Sequence, residues 1–380
     1  MTLSKKIFII SAILFAVMLI FLGVYNLSFK TTAPAPNEQA AGNNVAAPAT
    51  PPAIETAKLT PISDEAVLSP ILDLATSKIK YYSKLTGKVY SIDLDGTNKK
   101  TVSDKNLPGL VDVIWSPDGS KVITKFTQGA GNKFFYYDYA TNVGVQLKDN
   151  LDTIVWQSNS KIFYKYYEPQ SGERTLNIAD PNGSNWVKIT NLNYRFVSIA
   201  PIPHTGLVSF WNSPDASAET DFESSSVLGG ENTPILKGYF GADYLWNASG
   251  NAVLVGHTDQ KNGSQTQLAI MNEHGGELKN LGVSTFVSKS VWSKDNKTVY
   301  FALPGSLPSN ATIPNDYLAN KFNTDDSFWK INTITGEKTR IIDATKLSGG
   351  LDAMGLFLNA DESMLFFANK VDGKLYRISL

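Results

Sequence analysis

Short apolar runs alternating with polar turns fill the chain from about residue 56 to its last residue. One unit returns throughout: an apolar strand end, a polar turn, then a second apolar strand. It is plainest at Val113-Ile114-Trp115-Ser116-Pro117-Asp118-Gly119-Ser120-Lys121-Val122-Ile123. It returns around Trp156, Trp246 and Trp292, with fainter copies centred on Leu72, Ala200 and Leu358. The seven anchor positions are spaced by 43, 41, 44, 46, 46 and 66 residues. A second apolar segment lies between successive copies, as in Val89–Asp93, Phe134–Asp138, Leu176–Asp180 and Phe328–Asn332. The turns after it are rich in Gly and Asn (Asp95-Gly96, Pro181-Asn182-Gly183, Thr335-Gly336), which is hairpin chemistry. A fourth strand closes the unit, as in Trp186–Ile189 and Lys338–Ile342.

Four strands in 41 to 46 residues is the period of a propeller blade. No long amphipathic helix interrupts the pattern, which excludes α/β folds. The pattern predicts an all-β propeller of about seven four-stranded blades over residues 56–380. The fainter copies at Leu72 and Ala200 leave six blades as the alternative. The last repeat, from Leu351 to Leu380, has only three strands, and one spare strand, Thr56–Thr60, precedes the first anchor. Pairing that strand as the outer strand of the last blade would close the ring with both termini.

Ahead of the repeats, Ile7 to Val24 is apolar for 18 residues, interrupted only by Ser11 and Gly23. A helix of that length spans about 27 Å, near the thickness of a bilayer core. Lys5 and Lys6 precede the run and Tyr25 follows it, the arrangement of an uncleaved signal anchor with a cytoplasmic N-terminus. The expected plan is therefore a cytoplasmic N-terminus (1–6), a transmembrane helix (7–25), a flexible Ala/Pro-rich linker (26–55) and an extracytoplasmic propeller, periplasmic or extracellular. The linker carries Pro34, Pro36, Pro48, Pro51 and Pro52 and too few large apolar residues to fold alone.

Composition narrows the chemistry. With 34 Lys+Arg against 35 Asp+Glu, nothing favours a nucleic acid as partner. No cysteine is present, so disulfides and thiolate metal sites are excluded. A Gly-x-Ser-x-Gly elbow is absent. The three histidines, His204, His257 and His274, have no metal-ligand spacing and are expected in turns or loops. Asp93-Leu94-Asp95-Gly96 lacks the later ligands of a calcium loop and is expected to be a hairpin turn. The tryptophans at 115, 156, 246 and 292 share one place in the repeat and are expected to pack between blades. No catalytic, cofactor or metal residue is expected.

At Trp115-Ser116-Pro117-Asp118-Gly119-Ser120-Lys121 the chain resembles the TolB-like, or PD40 (WD40-like), β-propeller repeats. The turns at Asn247-Ala248-Ser249-Gly250, Ser293-Lys294-Asp295-Asn296 and Asn359-Ala360-Asp361-Glu362 look similar. The resemblance covers about residues 56–380 at repeat level, and its motif implies a fold, not one activity. Relatives of this kind include periplasmic envelope proteins that bind partner proteins, and propeller domains attached to serine peptidases. Neither an attached hydrolase domain nor a separate N-terminal α/β domain is expected from the repeats, which points to the non-enzymatic branch.

Two insertions interrupt the repeat. One is read at Trp211 to Glu223 and holds Asp215, Glu219, Asp221 and Glu223. The other, Leu303 to Ser327, holds Tyr317, Phe322, Asp325 and Asp326. With strands lettered a to d from the ring centre outward, both fall between strands b and c, on one face. Long loops on a rigid scaffold are where binding sites concentrate. The expected site therefore comprises Trp211, Asp215, Asp221, Tyr317, Phe322 and Asp325. The expected function is a non-enzymatic, protein-binding scaffold of the cell envelope, with an envelope glycan as the second kind of partner. Two alternatives are a hydrolase or lactonase at the channel mouth, and a structural subunit of a secretion or pilus assembly. Polar clusters facing the channel would favour the enzyme, whereas the inner strands, such as Leu110–Val113 and Leu351–Met354, look apolar and small.

Overall fold

The computed structural model describes residues 59–129, 131–342 and 350–380. They form seven four-stranded antiparallel sheets. The innermost strands are Val67–Asp73, Leu110–Trp115, Leu151–Ser158, Val197–Pro201, Asp243–Trp246, Ser290–Trp292 and Ala353–Leu358, for blades 1 to 7. Every anchor of the repeat lies on one of them, including Leu72, Ala200 and Leu358, so the count is seven. In blade 7 the chain supplies strands a, b and c, ending at Leu375–Ser379, and Leu59–Pro61 adds strand d with Leu59 opposite Ile378. Both ends of the described chain thus meet in one sheet, as the spare strand predicts.

Strand b is covered on both sides by neighbouring blades, so it reads as an almost unbroken apolar run rather than an alternation. Lys161–Tyr167 and Ala252–Thr258 show this, with only their ends and one interior position partly exposed. The anchor tryptophans explain why the repeat needs that residue. Each indole N–H donates to the preceding blade: Trp115 to the Ser69 carbonyl (2.8 Å), Trp156 to the Ile114 carbonyl (2.9 Å), Trp246 to Ser209 Oγ (2.9 Å) and Trp292 to the Leu245 carbonyl (3.2 Å). One side chain supplies a large apolar surface and satisfies a buried donor. The Ser-Pro-Asp-Gly turn is equally local. Asp118 Oδ1 accepts from Ser116 Oγ and from the Ser120 N–H, while Ser116 Oγ accepts from the Lys121 N–H. Ser249, Asp295 and Asp361 stand in the equivalent turns.

Three expectations need correction. The first insertion is shorter than read: strand b ends at Asn212, and Glu219–Ser226 is strand c of blade 4. Its alternation is real (Thr220, Phe222 and Ser224 are buried) but is carried largely by polar residues, which is why the sequence reads as loop. His257 lies within strand b of blade 5, whereas His204 and His274 occupy turns. Leu351–Met354 is not uniformly apolar in role, because Asp352 is fully buried beside a lysine. The expected membrane helix and linker lie outside the described residues. Among the described residues, no helix is long and apolar enough to cross a membrane.

Candidate functional site

Successive strands reverse direction, so the b–c and d–a connections share one face of the ring. On that face the b–c loops of blades 4, 5 and 6 (213–218, 259–265 and 305–325) are tied into a single surface. Asn315 joins the outer two: its side-chain carbonyl accepts from the Ala216 N–H (2.8 Å) and its amide donates to Asp215 Oδ1 (3.0 Å). The middle loop bridges both, the Asn262 N–H donating to the Ala216 carbonyl and the Ile313 N–H to the Gly263 carbonyl. These bonds to Asn315 and to Ser217 hold the Asp215 carboxyl below the usual range. Where the blade 6 loop crosses the start of blade 5, only glycine fits. Gly241 has φ +58°, and a Cβ there would come within 2.6 Å of Pro314 Cδ.

The long loop has its own small core of Phe286, Ala311, Ile313 and Tyr317. Tyr317 lies in a single helical turn, Asn315–Leu318, and stacks on Phe286 with centroids 4.5 Å apart. Its hydroxyl donates to Asp352 Oδ1 at 2.6 Å. Asp352 belongs to a fully buried charge cluster at the junction of blades 6 and 7. Lys289 Nζ lies 2.7 Å from Asp326 Oδ2 and 2.6 Å from Asp352 Oδ1, and donates to the Ala353 carbonyl. Burial raises both carboxyls, but the outcomes differ. Asp326 stays above the usual range, whereas the charge and hydrogen bond of Lys289, with the Tyr317 hydroxyl, bring Asp352 below it. The insertion is thus fastened to the ring through buried ions.

A second carboxylate on this face has no such partner. Asp243, partly buried at the start of blade 5, accepts from the Trp211 indole N–H at 3.1 Å. Burial pushes its carboxyl up to about 6, against the stabilising Tyr244 N–H and Trp211 indole. It lines a cavity of about 60 Å³ whose wall includes Phe286, Ile313, Pro314 and Tyr317. A much roomier cleft, about 570 Å³, lies between blades 1 and 2, lined by aromatic rings that include Tyr82, Phe126, Phe135, Tyr137 and Tyr139.

The six residues expected at the site are only partly brought together. Asp215 and Tyr317 lie in the tied surface, with Phe322 half-buried against Tyr317. Asp325 is exposed, and its carbonyl closes the neck of the insertion by accepting from the Gly305 N–H. Trp211 is 4% exposed, in the core between blades 4 and 5. Asp221 is in strand c, holding the Tyr194 hydroxyl and 3.8 Å from Lys237. Asp243, Lys289 and Asp352 were missed. Their one signal is position, since Asp243 and Lys289 both stand three residues before an anchor tryptophan.

No family model and no curated protein matches the chain. Solved structures do. An oligogalacturonate lyase in complex with manganese is 14% identical with a TM-score of 0.61, over 86% of this chain and 94% of that one. The oligogalacturonate lyase of Vibrio parahaemolyticus is 10% identical at 0.60, with the same shares covered. The propeller domain of the Trilobed protease from Pyrococcus furiosus is 13% identical at 0.52, over 85% and 95%. TolB from Acinetobacter baumannii matches at 0.47, with 14% identity over 75% of this chain and 64% of that one. Identities this low show the propeller fold alone, since one fold carries many functions. Among the described residues, no group of three or more His, Asp or Glu side chains is placed to hold a metal ion.

Proposed function

We propose that this chain is a membrane-anchored, extracytoplasmic propeller acting as a non-enzymatic protein-binding scaffold of the cell envelope. Its binding surface would be the face that carries the tied loops. The anchoring part of this reading rests on the apolar run Ile7–Val24 and its flanking lysines. The binding part rests on one observation: three loops from three blades are hydrogen-bonded into one preorganised surface. Preorganisation lowers the ordering cost of association. Exposed apolar side chains lie on the same face, Leu318 (57%) in the tied loops and Phe196 (63%) in the neighbouring d–a connection. The charged residues support the non-enzymatic side. Asp326 and Asp352 are both engaged by Lys289, and Tyr317 covers Asp352, which leaves them poorly placed to meet a substrate.

The test is a crosslinking pull-down from native membranes, comparing the intact chain with the double variant Leu318→Ser, Phe196→Ser. A specific protein captured by the intact chain and lost by the variant supports the reading. Identical capture by both refutes it for this face. Capture of glycan without protein would shift the reading to the other partner class.

A further inference from the structure

Blade 5 differs from blades 2, 3 and 6, each of which places a lysine at one level of the ring. In blade 2, Asp112 stands near the start of strand a with Lys125 directly across the ladder on strand b. In blade 3, Asp152 at the same level makes a 2.5 Å ion pair with buried Lys165 of strand b. In blade 6 the residue at this level is itself a cation, Lys289, paired with two carboxylates. In blade 5 the carboxylate is Asp243 and the residue directly across is Gly256. Among the described residues, no cationic side chain pairs with Asp243. Gly256 cannot be extended to supply one, because a Cβ there would come within 2.8 Å of Val287 Cγ2. The place of a cation is taken by the cavity of about 60 Å³.

The cavity's polar walls favour a donor. Thr258 Oγ1 gives its proton to the Phe240 and Gln260 carbonyls, and Thr266 Oγ1 gives its proton to the Thr285 and His257 carbonyls. The single proton of each hydroxyl is thus engaged by backbone, so the two threonines that line the cavity with Asp243 keep acceptor capacity only. An ammonium group carries three donors and no acceptor, which complements such a wall. The apolar walls, Pro214, Ile313, Pro314 and Phe286, suit the methylene stem of a lysine. Leu318, well exposed, stands at the rim. A compact ammonium also fits so small a space better than the broad planar fork of an arginine.

We propose that the Asp243 cavity is a binding site for a primary ammonium group, supplied by a lysine side chain of the protein partner. The proposal rests on reading this face as a protein-binding surface and names the group that surface receives. The unfavourable state of the carboxylate when empty, with its proton affinity raised by burial, accords with a site completed from outside.

The test is calorimetric titration of the purified full chain with Nα-acetyl-lysine methylamide, Nα-acetyl-norleucine methylamide and methylammonium chloride. The lysine compound is expected to bind, Asp243→Asn to weaken it at least tenfold without lowering the melting temperature, and the norleucine compound to give no heat. Methylammonium is expected to bind at least tenfold more weakly than the lysine compound, and equal binding would make a free amine the occupant and overturn the lysine assignment. Unchanged affinity in Asp243→Asn, or equal binding of norleucine, overturns the site itself. The two proposals fail separately. Partner capture that survives Asp243→Asn removes the partner lysine and leaves the binding face. Lysine binding that persists when the Leu318→Ser, Phe196→Ser variant captures the same proteins as the intact chain removes that face and leaves the cavity.

Discussion

Lys289 and Asp243 occupy the same place in adjacent blades, three residues before the tryptophan that ends strand a, yet one is sealed and the other is open. Lys289 is fully buried, touches two carboxylates and a backbone carbonyl, and lies under the long loop. Asp243 has an indole and its own neighbour's N–H as partners, and a cavity at the level where blades 2, 3 and 6 place a lysine. The difference teaches that a repeat position has no fixed role. Whether a charge there is structural or available is set by what the next blade and the loops above bring to it.

The largest effect is expected on the sealed side. Lys289→Met leaves Asp326 buried without a cation and Asp352 with only Lys370, 3.7 Å away, and should lower stability by about 3–5 kcal/mol in denaturant unfolding at pH 7. The loss should shrink as pH falls, because protonated carboxyls no longer need the lysine. A loss independent of pH would mean that packing, not charge, dominates at this junction. Tyr317→Phe removes the hydroxyl from Asp352 while keeping the ring on Phe286, and should cost about 1–2 kcal/mol. An unchanged melting curve would show that the loop is held by its apolar contacts alone.

The open side should respond with the opposite sign. Asp243→Asn removes a partly buried carboxylate that lacks a cation, and should raise stability by about 1 kcal/mol at pH 8. An acid whose folded pKa is raised costs stability above that pKa and recovers it on acidification. The gap between variant and parent should therefore narrow as pH falls through about 6 and close below the ordinary carboxylate range. A gap that widens on acidification would show that Asp243 has a cationic partner after all. The smallest effect is expected from Leu318→Ser with Phe196→Ser, within about 0.5 kcal/mol of the parent because both side chains are exposed. A larger loss would make them part of the scaffold rather than its binding face.

The propeller was legible because its causes are local. Trp115, Trp156, Trp246 and Trp292 recur because in four of the seven blades the inner strand presents one large ring, with a donor, to the blade before it. Ser116, Asp118 and Ser120 recur because their turn satisfies itself within five residues. Both insertions were placed on the correct face by counting strands. Glu219–Ser226 was misread because its buried positions include Thr220 and Ser224, which sequence reading counts as polar. Trp211 and Asp221 went with that error.

The four-stranded repeat, the ring closure and the face that carries the loops follow from the sequence alone, since each depends on contacts between neighbours a few residues or one repeat apart, whereas the choice of seven blades over six came with the structure. The identity of the charged partners was decided only in three dimensions. Lys289 meets Asp352 across 63 residues, and Asn315 meets Asp215 across 100. The lack of a lysine beside Asp243 is the absence of one side chain at Gly256, on a different strand. Ion pairs and cavities belong to the surfaces where blades meet, and no single repeat contains both sides of such a surface.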